Sequence, residues 1–136
     1  MVESQIESRV GEVYQSLSKY HKDLLLLLTA IGTKGHAIIV GRGAQYLFPE
    51  ALKVRLICQV EQRIEWLMKY EHVSYNEANQ LIQNSDSQRE NFIQGLFGND
   101  PKLPHHYDIV LRTSERIKLE DAAATIVQLA KRRFKL

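Results

Sequence analysis

Four arginines are the sequence's strongest candidates for chemistry, although a sequence does not show whether they converge: Arg42, Arg55, Arg63 and Arg89. A guanidinium is a planar, permanently charged fork of donors that matches phosphate and carboxylate oxygens. Arg42 stands between Gly41 and Gly43, directly after the apolar run Ala37-Ile38-Ile39-Val40. The two glycines let the backbone turn tightly and approach a ligand closely. A strand that ends in such a turn and feeds a helix start is where open α/β sheets bind anions. Arg89 lies beside Asp86 in the polar stretch NSDSQRENFIQGLFGNDPKLPHH, which reads as an excursion over a site. Arginines gathered from a strand end and a flexible segment are how a protein collects phosphate charge during phosphoryl transfer. A plainer reading stands beside this one. A glycine turn with an arginine is an ordinary connection, Arg55 alternates with apolar neighbours, and Arg63 fits a solvated helix face.

Other chemistries find less support. His105 and His106 are adjacent and point in different directions, and His21, His36 and His72 have no cysteine or carboxylate at a ligand spacing, so no metal site is expected. No G-x-S-x-G elbow supports a nucleophilic serine. Cys58 is the only cysteine, inside a strand pattern, so it reads as a buried thiol and no disulfide can form within the chain.

The elements that must position these residues follow from hydrophobic spacing. Ile6, Val10, Val13, Tyr14 and Leu17 predict an amphipathic helix from about Val2 to Tyr20. Leu24 to Leu28 reads as a buried helix, because the run lacks β-branched residues, with Gly32 and Gly35 ending it. Ala37–Val40 predicts a strand covered on both faces, the glycine turn opens a helix that Pro49 breaks, and Lys53–Cys58 predicts a second strand. Val60, Ile64, Leu67 and Met68 share one face of the next helix. Ser74 with Glu77 forms a capping box that starts another, through Ala78, Leu81 and Ile82, before the polar stretch from Asn84. Tyr107–Leu111 predicts a third strand, and Leu119 to Ala130 a final helix. Lys131, Arg132 and Arg133 complement that helix's macrodipole, which ranks nucleic-acid binding last. The order is that of an α/β protein with a parallel sheet and helices on both faces.

Length and composition fit one soluble domain. The 136 residues are 44% hydrophobic and 25% charged, with a net charge of +2, which argues for no polyanion partner. The first residues, MVESQIESRV, are not a secretory signal and no stretch is apolar enough to span a membrane, so the expected compartment is the cytosol.

The blocks IIVGRGAQYLF, ALKVRLICQVEQRIEWLM, SYNEANQLIQNSDSQRENFIQGLFG and HHYDIVLRTSERIKLEDAAATIV, in that order, resemble the cytidylate kinase-like family of P-loop nucleoside monophosphate kinases. The resemblance covers about residues 24–129. It implies a three-layer P-loop kinase core and a lid-like segment at about 74–104, within a single domain over 1–136. It places Gly41, Arg42 and Gly43 beside the nucleoside monophosphate site; Arg55 and Arg63 are further candidate substrate contacts from the arginine pattern itself. Arg89 and Asp86 fall on the lid, which closes over phosphates. The implied activity is transfer of phosphate from ATP, with Mg²⁺, to a nucleoside monophosphate.

Two departures qualify these expectations. True cytidylate kinases carry Gly-Arg-Asp at the turn, where the acid helps recognise the nucleotide, and Gly43 stands in that place here. The 136 residues also contain no G-x-x-x-x-G-K-[ST] to cradle a triphosphate; Gly32-Thr33-Lys34-Gly35 precedes a strand instead of following one. The expected fold is therefore a P-loop kinase-like core missing its P-loop strand, and the isolated chain is expected to be inactive. The alternative is a degenerate, non-catalytic module that binds a phosphorylated small molecule or a regulatory protein partner. A missing central strand leaves edges to cover, so a homodimer is also expected.

Overall fold

In the computed structural model the described residues are Ser4, Ile6, Ser8, Val10, Gly11 and residues 13–136. They divide into two compact units, one of Met1–Ala51 with Glu90–Pro101 and the other of Leu52–Arg89 with Lys102–Leu136.

The first unit is helical. Ser4, Ile6, Ser8 and Val10 have helical backbone, Gly11 turns with φ 72°, and α1 covers Val13–Ser16. The expected helix from Val2 to Tyr20 is thus interrupted at Gly11 and again before Ser18, and Val2 itself lies outside the described residues. Helix α2 spans Lys19–Lys34, starting where the Ser18 hydroxyl accepts from the His21 amide at 3.3 Å. The leucine run lies inside it as expected, with Leu25 and Leu28 buried against Ile6, Val10, Tyr14, Leu47 and Leu96. Gly35, at φ 80°, ends α2 by donating its amide to the Gly32 carbonyl. Gly32 does not end the helix; it is a gap in its surface that the Phe48 ring fills.

Residues 37–40 do not form the expected strand. Their backbone is irregular, Ile38 is 95% and Val40 87% exposed, and Ile39 alone of the run packs against the core. A strand is defined by ladder hydrogen bonds, and no neighbouring backbone supplies them among the described residues. The helix expected after the glycine turn shrinks to one 3₁₀ turn, Ala44–Tyr46.

The second unit contains the sheet. Strands β1 (Val54–Cys58) and β2 (Ile109–Thr113) pair in parallel, Val54 opposite Ile109 and Cys58 opposite Thr113. Asp108 fixes this register from below: its carboxylate accepts from the Lys53 amide at 2.7 Å, while its own amide donates to the Lys53 carbonyl at 2.8 Å. The expected parallel sheet with helices is present, formed among the described residues by two strands and without the strand expected at residues 37–40. Leu56 and Ile57 accordingly remain 49% and 38% exposed, where a sheet covered on both faces would bury them.

Helix α3 (Val60–Glu71) follows β1 directly, and α4 (Tyr75–Phe97) begins after a short turn. The Ser74–Glu77 capping box is present, with Ser74 donating its amide to Glu77 at 2.9 Å and Glu77 donating its own to the Ser74 hydroxyl at 3.2 Å. Ile64, Ala78 and Ile82 are buried together, with Leu67 and Val73 packed on them, whereas Val60 and Met68 are exposed. The polar stretch from Asn84 does not leave the helix: α4 continues to Phe97, with Ile93 and Leu96 buried at helical spacing. A 3₁₀ turn at Pro104–His106 leads into β2, and α5 (Leu119–Phe134) closes the chain, Lys118 donating its amide to Asp121 at 2.9 Å.

Candidate functional site

The sequence places Arg63 and Asp86 23 residues apart, and the second unit brings them into contact. Arg63 lies at the start of α3, its amide donating to the Gln59 carbonyl at 3.1 Å, so its side chain leaves the helix just beyond the end of β1. Its guanidinium meets Asp86 in a fork: Nη1 donates to Oδ2 and Nη2 to Oδ1, both at 2.7 Å. One turn further along α4, Arg89 donates from Nη2 to the same Oδ1 at 2.7 Å and to the Ser85 hydroxyl at 3.3 Å, while Nε donates to the Ser85 carbonyl at 3.4 Å. Both carboxylate oxygens are therefore occupied, and the trio keeps one net positive charge. The Nη1 group of Arg89 makes no bond among the described residues.

The electrostatics follow this geometry. Hydrogen bonds from Arg63 hold the Asp86 carboxyl below its ordinary 3.8, against a partial desolvation that acts in the other direction, with the charges of Arg63 and Arg89 adding to the lowering. The Arg63 guanidinium is raised in turn, first by its hydrogen bond to Asp86. The side chains of Arg63, Asp86 and Arg89 are 30%, 36% and 57% exposed, so the cluster is open to solvent on the Arg89 side.

In the first unit, the turn Gly41-Arg42-Gly43 has three successive residues in the left-handed region, with φ of 75°, 62° and 69°. Glycine adopts this without strain, but an arginine there costs about 1–2 kcal/mol. The turn is tied by Ala44 donating to the Gly41 carbonyl at 3.3 Å and Tyr46 to the Gly43 carbonyl at 3.0 Å. Arg42 is exposed and has no bonded partner among the described residues. Gly43 is buried, and the Phe97 ring lies where a side chain at this position would go, with ring Cδ2 2.9 Å from the place of a Cβ. An aspartate like that of true cytidylate kinases does not fit this position as the turn stands.

Arg55, in β1, lies over the Tyr107 ring with its guanidinium carbon 5.7 Å from the centroid. Two features carry no signal in the sequence. Phe97 looked like part of a mobile excursion, yet its ring packs on Gly43 and faces Tyr46 at 5.4 Å between centroids. Asp86 looked like a lid acid, and its spacing from Arg63 gave no hint of the fork. No group of three or more His, Cys, Asp or Glu among the described residues is arranged to hold a metal ion. Asp86 does not fit as a Mg²⁺ ligand, because arginines take both its oxygens. No helix among the described residues is long and apolar enough to cross a membrane.

The described residues thus form a mixed helix and strand fold with a short parallel sheet, and an arginine–carboxylate cluster lies beyond one strand end. The family is shown independently: the cytidylate kinase-like family matches residues 3–115, and the chain belongs to it. No curated protein matches the sequence. Among solved structures, the crystal structure of an uncharacterized protein from Eubacterium ventriosum ATCC 27560 is similar, with a TM-score of 0.76 at 14% identity over 90% of this chain and 72% of that one. At that identity the likeness is one of fold.

Proposed function

We propose that this chain is a nucleotide-binding, kinase-like domain that takes the phosphate of a nucleoside monophosphate, or of another phosphorylated small molecule, on its arginines. The observation that carries the reading is the cluster of Arg63, Asp86 and Arg89. Two guanidiniums are held in fixed orientation by one carboxylate, with one positive charge in excess and the Nη1 donors of Arg89 open. A phosphate dianion arriving there meets donors that need no reorganisation, which makes a charge-assisted bond worth more than a flexible one. In the first unit, Arg42, exposed on its strained turn, is a candidate phosphate contact in its own right.

The same reading has no phosphate transfer by these 136 residues alone. Phosphoryl transfer draws nearly all its rate from donors and cations placed around the transferred group, and the sequence contains no G-x-x-x-x-G-K-[ST] to supply the triphosphate side. The test is calorimetry with AMP, CMP, GMP and UMP, paired with a turnover assay in ATP and Mg²⁺. At least one monophosphate binds, Arg89→Ala weakens it at least fivefold, and no product forms. Turnover by the chain overturns the inactivity, and absence of binding by all four overturns the phosphate reading.

A further inference from the structure

We infer that Phe97 is a positioning residue for Arg42, holding the Gly41–Gly43 turn in the left-handed path that presents the guanidinium to solvent. The inference deepens the phosphate reading of Arg42 and rests on it. Three successive left-handed residues, the middle one an arginine, form a conformation that a free loop does not keep and that surrounding packing must impose. The packing that imposes it is the Phe97 ring. It lies against Gly43 so closely that no β-carbon fits between them, and it faces Tyr46, whose amide donates to the Gly43 carbonyl.

Phe97 is itself held firmly. It is the last residue of α4, Gly98 caps it at φ 66° by donating to the Gln94 carbonyl at 2.9 Å, and the Asn99 side chain donates to the Phe97 carbonyl at 3.0 Å. One side of the ring packs on the cluster around Leu47 and Leu96, and the edge beside Gly43 is what the turn wraps. Gly43 is therefore not simply a lost acid. Its missing side chain is the space that Phe97 occupies, so the turn offers a ligand its backbone and Arg42 and no carboxylate. The ligand class that suits such a turn is one recognised by phosphate, without selection for the base.

The experiment compares Phe97→Ala, Phe97→Leu, Arg42→Ala and the double variant Arg42→Ala/Phe97→Ala, by hydrogen exchange and by calorimetry with CMP, UMP, AMP and GMP. Phe97→Ala is expected to speed exchange of the Ala44 and Tyr46 amides at least tenfold, leave the α2 amides of Leu25 and Leu28 unchanged, and weaken binding three- to tenfold. The double variant binds no more weakly than Arg42→Ala, because Phe97 acts on the ligand through the arginine it positions. Affinities of the four monophosphates lie within about threefold of one another. Phe97→Leu keeps apolar bulk in the core without the flat ring edge, so it folds and shows both changes in smaller degree, even where the alanine variant does not fold. Unchanged amides at 44 and 46, or additive losses in the double variant, overturn the positioning role. Undiminished affinity in Arg42→Ala removes Arg42 as a phosphate contact, and the ligand part of this inference with it, while absence of binding by all four monophosphates overturns the phosphate reading itself. A loss in Arg42→Ala beside none in Phe97→Ala overturns the positioning alone.

Discussion

Asp86→Asn separates the two roles of the arginine cluster, because it moves stability and ligand affinity in opposite directions. Asp86 accepts three charge-assisted bonds at 2.7 Å, two from Arg63 and one from Arg89. Asparagine keeps one acceptor and turns an amide toward the guanidiniums. Fully exposed ion pairs are worth well under 1 kcal/mol, and breaking buried ones costs several. With side chains 30% and 36% exposed, the Arg63–Asp86 fork lies between these limits, so a loss of about 2 kcal/mol is expected. For a chain of this length that lowers the melting temperature by about 6–10 °C. The cluster meanwhile gains a net positive charge about 6 Å from an incoming phosphate; at solvent-like screening this is worth about 0.7–1.4 kcal/mol per unit of phosphate charge, or about ten- to a hundredfold tighter binding of a dianion. The pH dependence has a fixed sign. Asp86 is depressed below 3.8, so its contribution is fully present above the ordinary carboxylate range and is lost as pH falls through its lower folded value. Thermal melts from pH 7 down to about 2.5 should show the gap between wild type and variant closing below pH 4. A gap independent of pH, or weaker monophosphate binding by the variant at pH 7, refutes this account of the cluster.

Three other changes test the fold and site. Gly32→Ala should destabilise by about 1–2 kcal/mol in chemical denaturation, although alanine is the better helix former, because its methyl meets the Phe48 ring; Phe48→Leu should remove most of that cost, and a stabilised single variant contradicts the packing. Gly43→Asp, which restores Gly-Arg-Asp, should cost at least about 2 kcal/mol from the left-handed φ of 69° and the Phe97 ring, and a variant melting with wild type would show that the turn is free to move. A homodimer covering the exposed Ile38 and Val40 should give twice the 15.7 kDa chain mass in light scattering across a concentration series, and a constant monomer mass counts against it.

The parts of the fold legible in the sequence are those decided by local chemistry. The leucine run, the Ser74–Glu77 box and the two strands after Pro49 each carry their signal within a few residues. Residues 37–40 show where local chemistry stops. Three β-branched residues in a row carry a strand preference, but a strand exists only where a second backbone accepts and donates its bonds. Without such a neighbour the apolar side chains of Ile38 and Val40 stay in water, and the exposure of Leu56 and Ile57 on β1 has the same origin. The polar stretch of α4 shows the converse. Asn84 to Gln88 looks like a loop by composition, yet Ile82, Ile93 and Leu96 keep the helical period across it, and the charges in between are consumed by Arg63 and by each other.

The site was legible as a set of residue types and not as a set of partners. That arginines matter is readable, because a guanidinium's chemistry does not depend on its neighbours. Which carboxylate each one meets depends on a contact across 23 residues and on the phase of two helices, and neither is encoded locally. The Gly43 departure turns on the same distinction. In the sequence it is a missing acid, a loss of specificity with no counterpart. In the structure the loss has a physical cause, because the volume of that acid belongs to Phe97 and the left-handed turn around it. A turn that holds a packed ring where a carboxylate would stand has no acid to offer a ligand. Arg42→Ala should therefore reduce affinity for all four monophosphates by a similar factor, and a loss confined to one base would show that some other residue reads it.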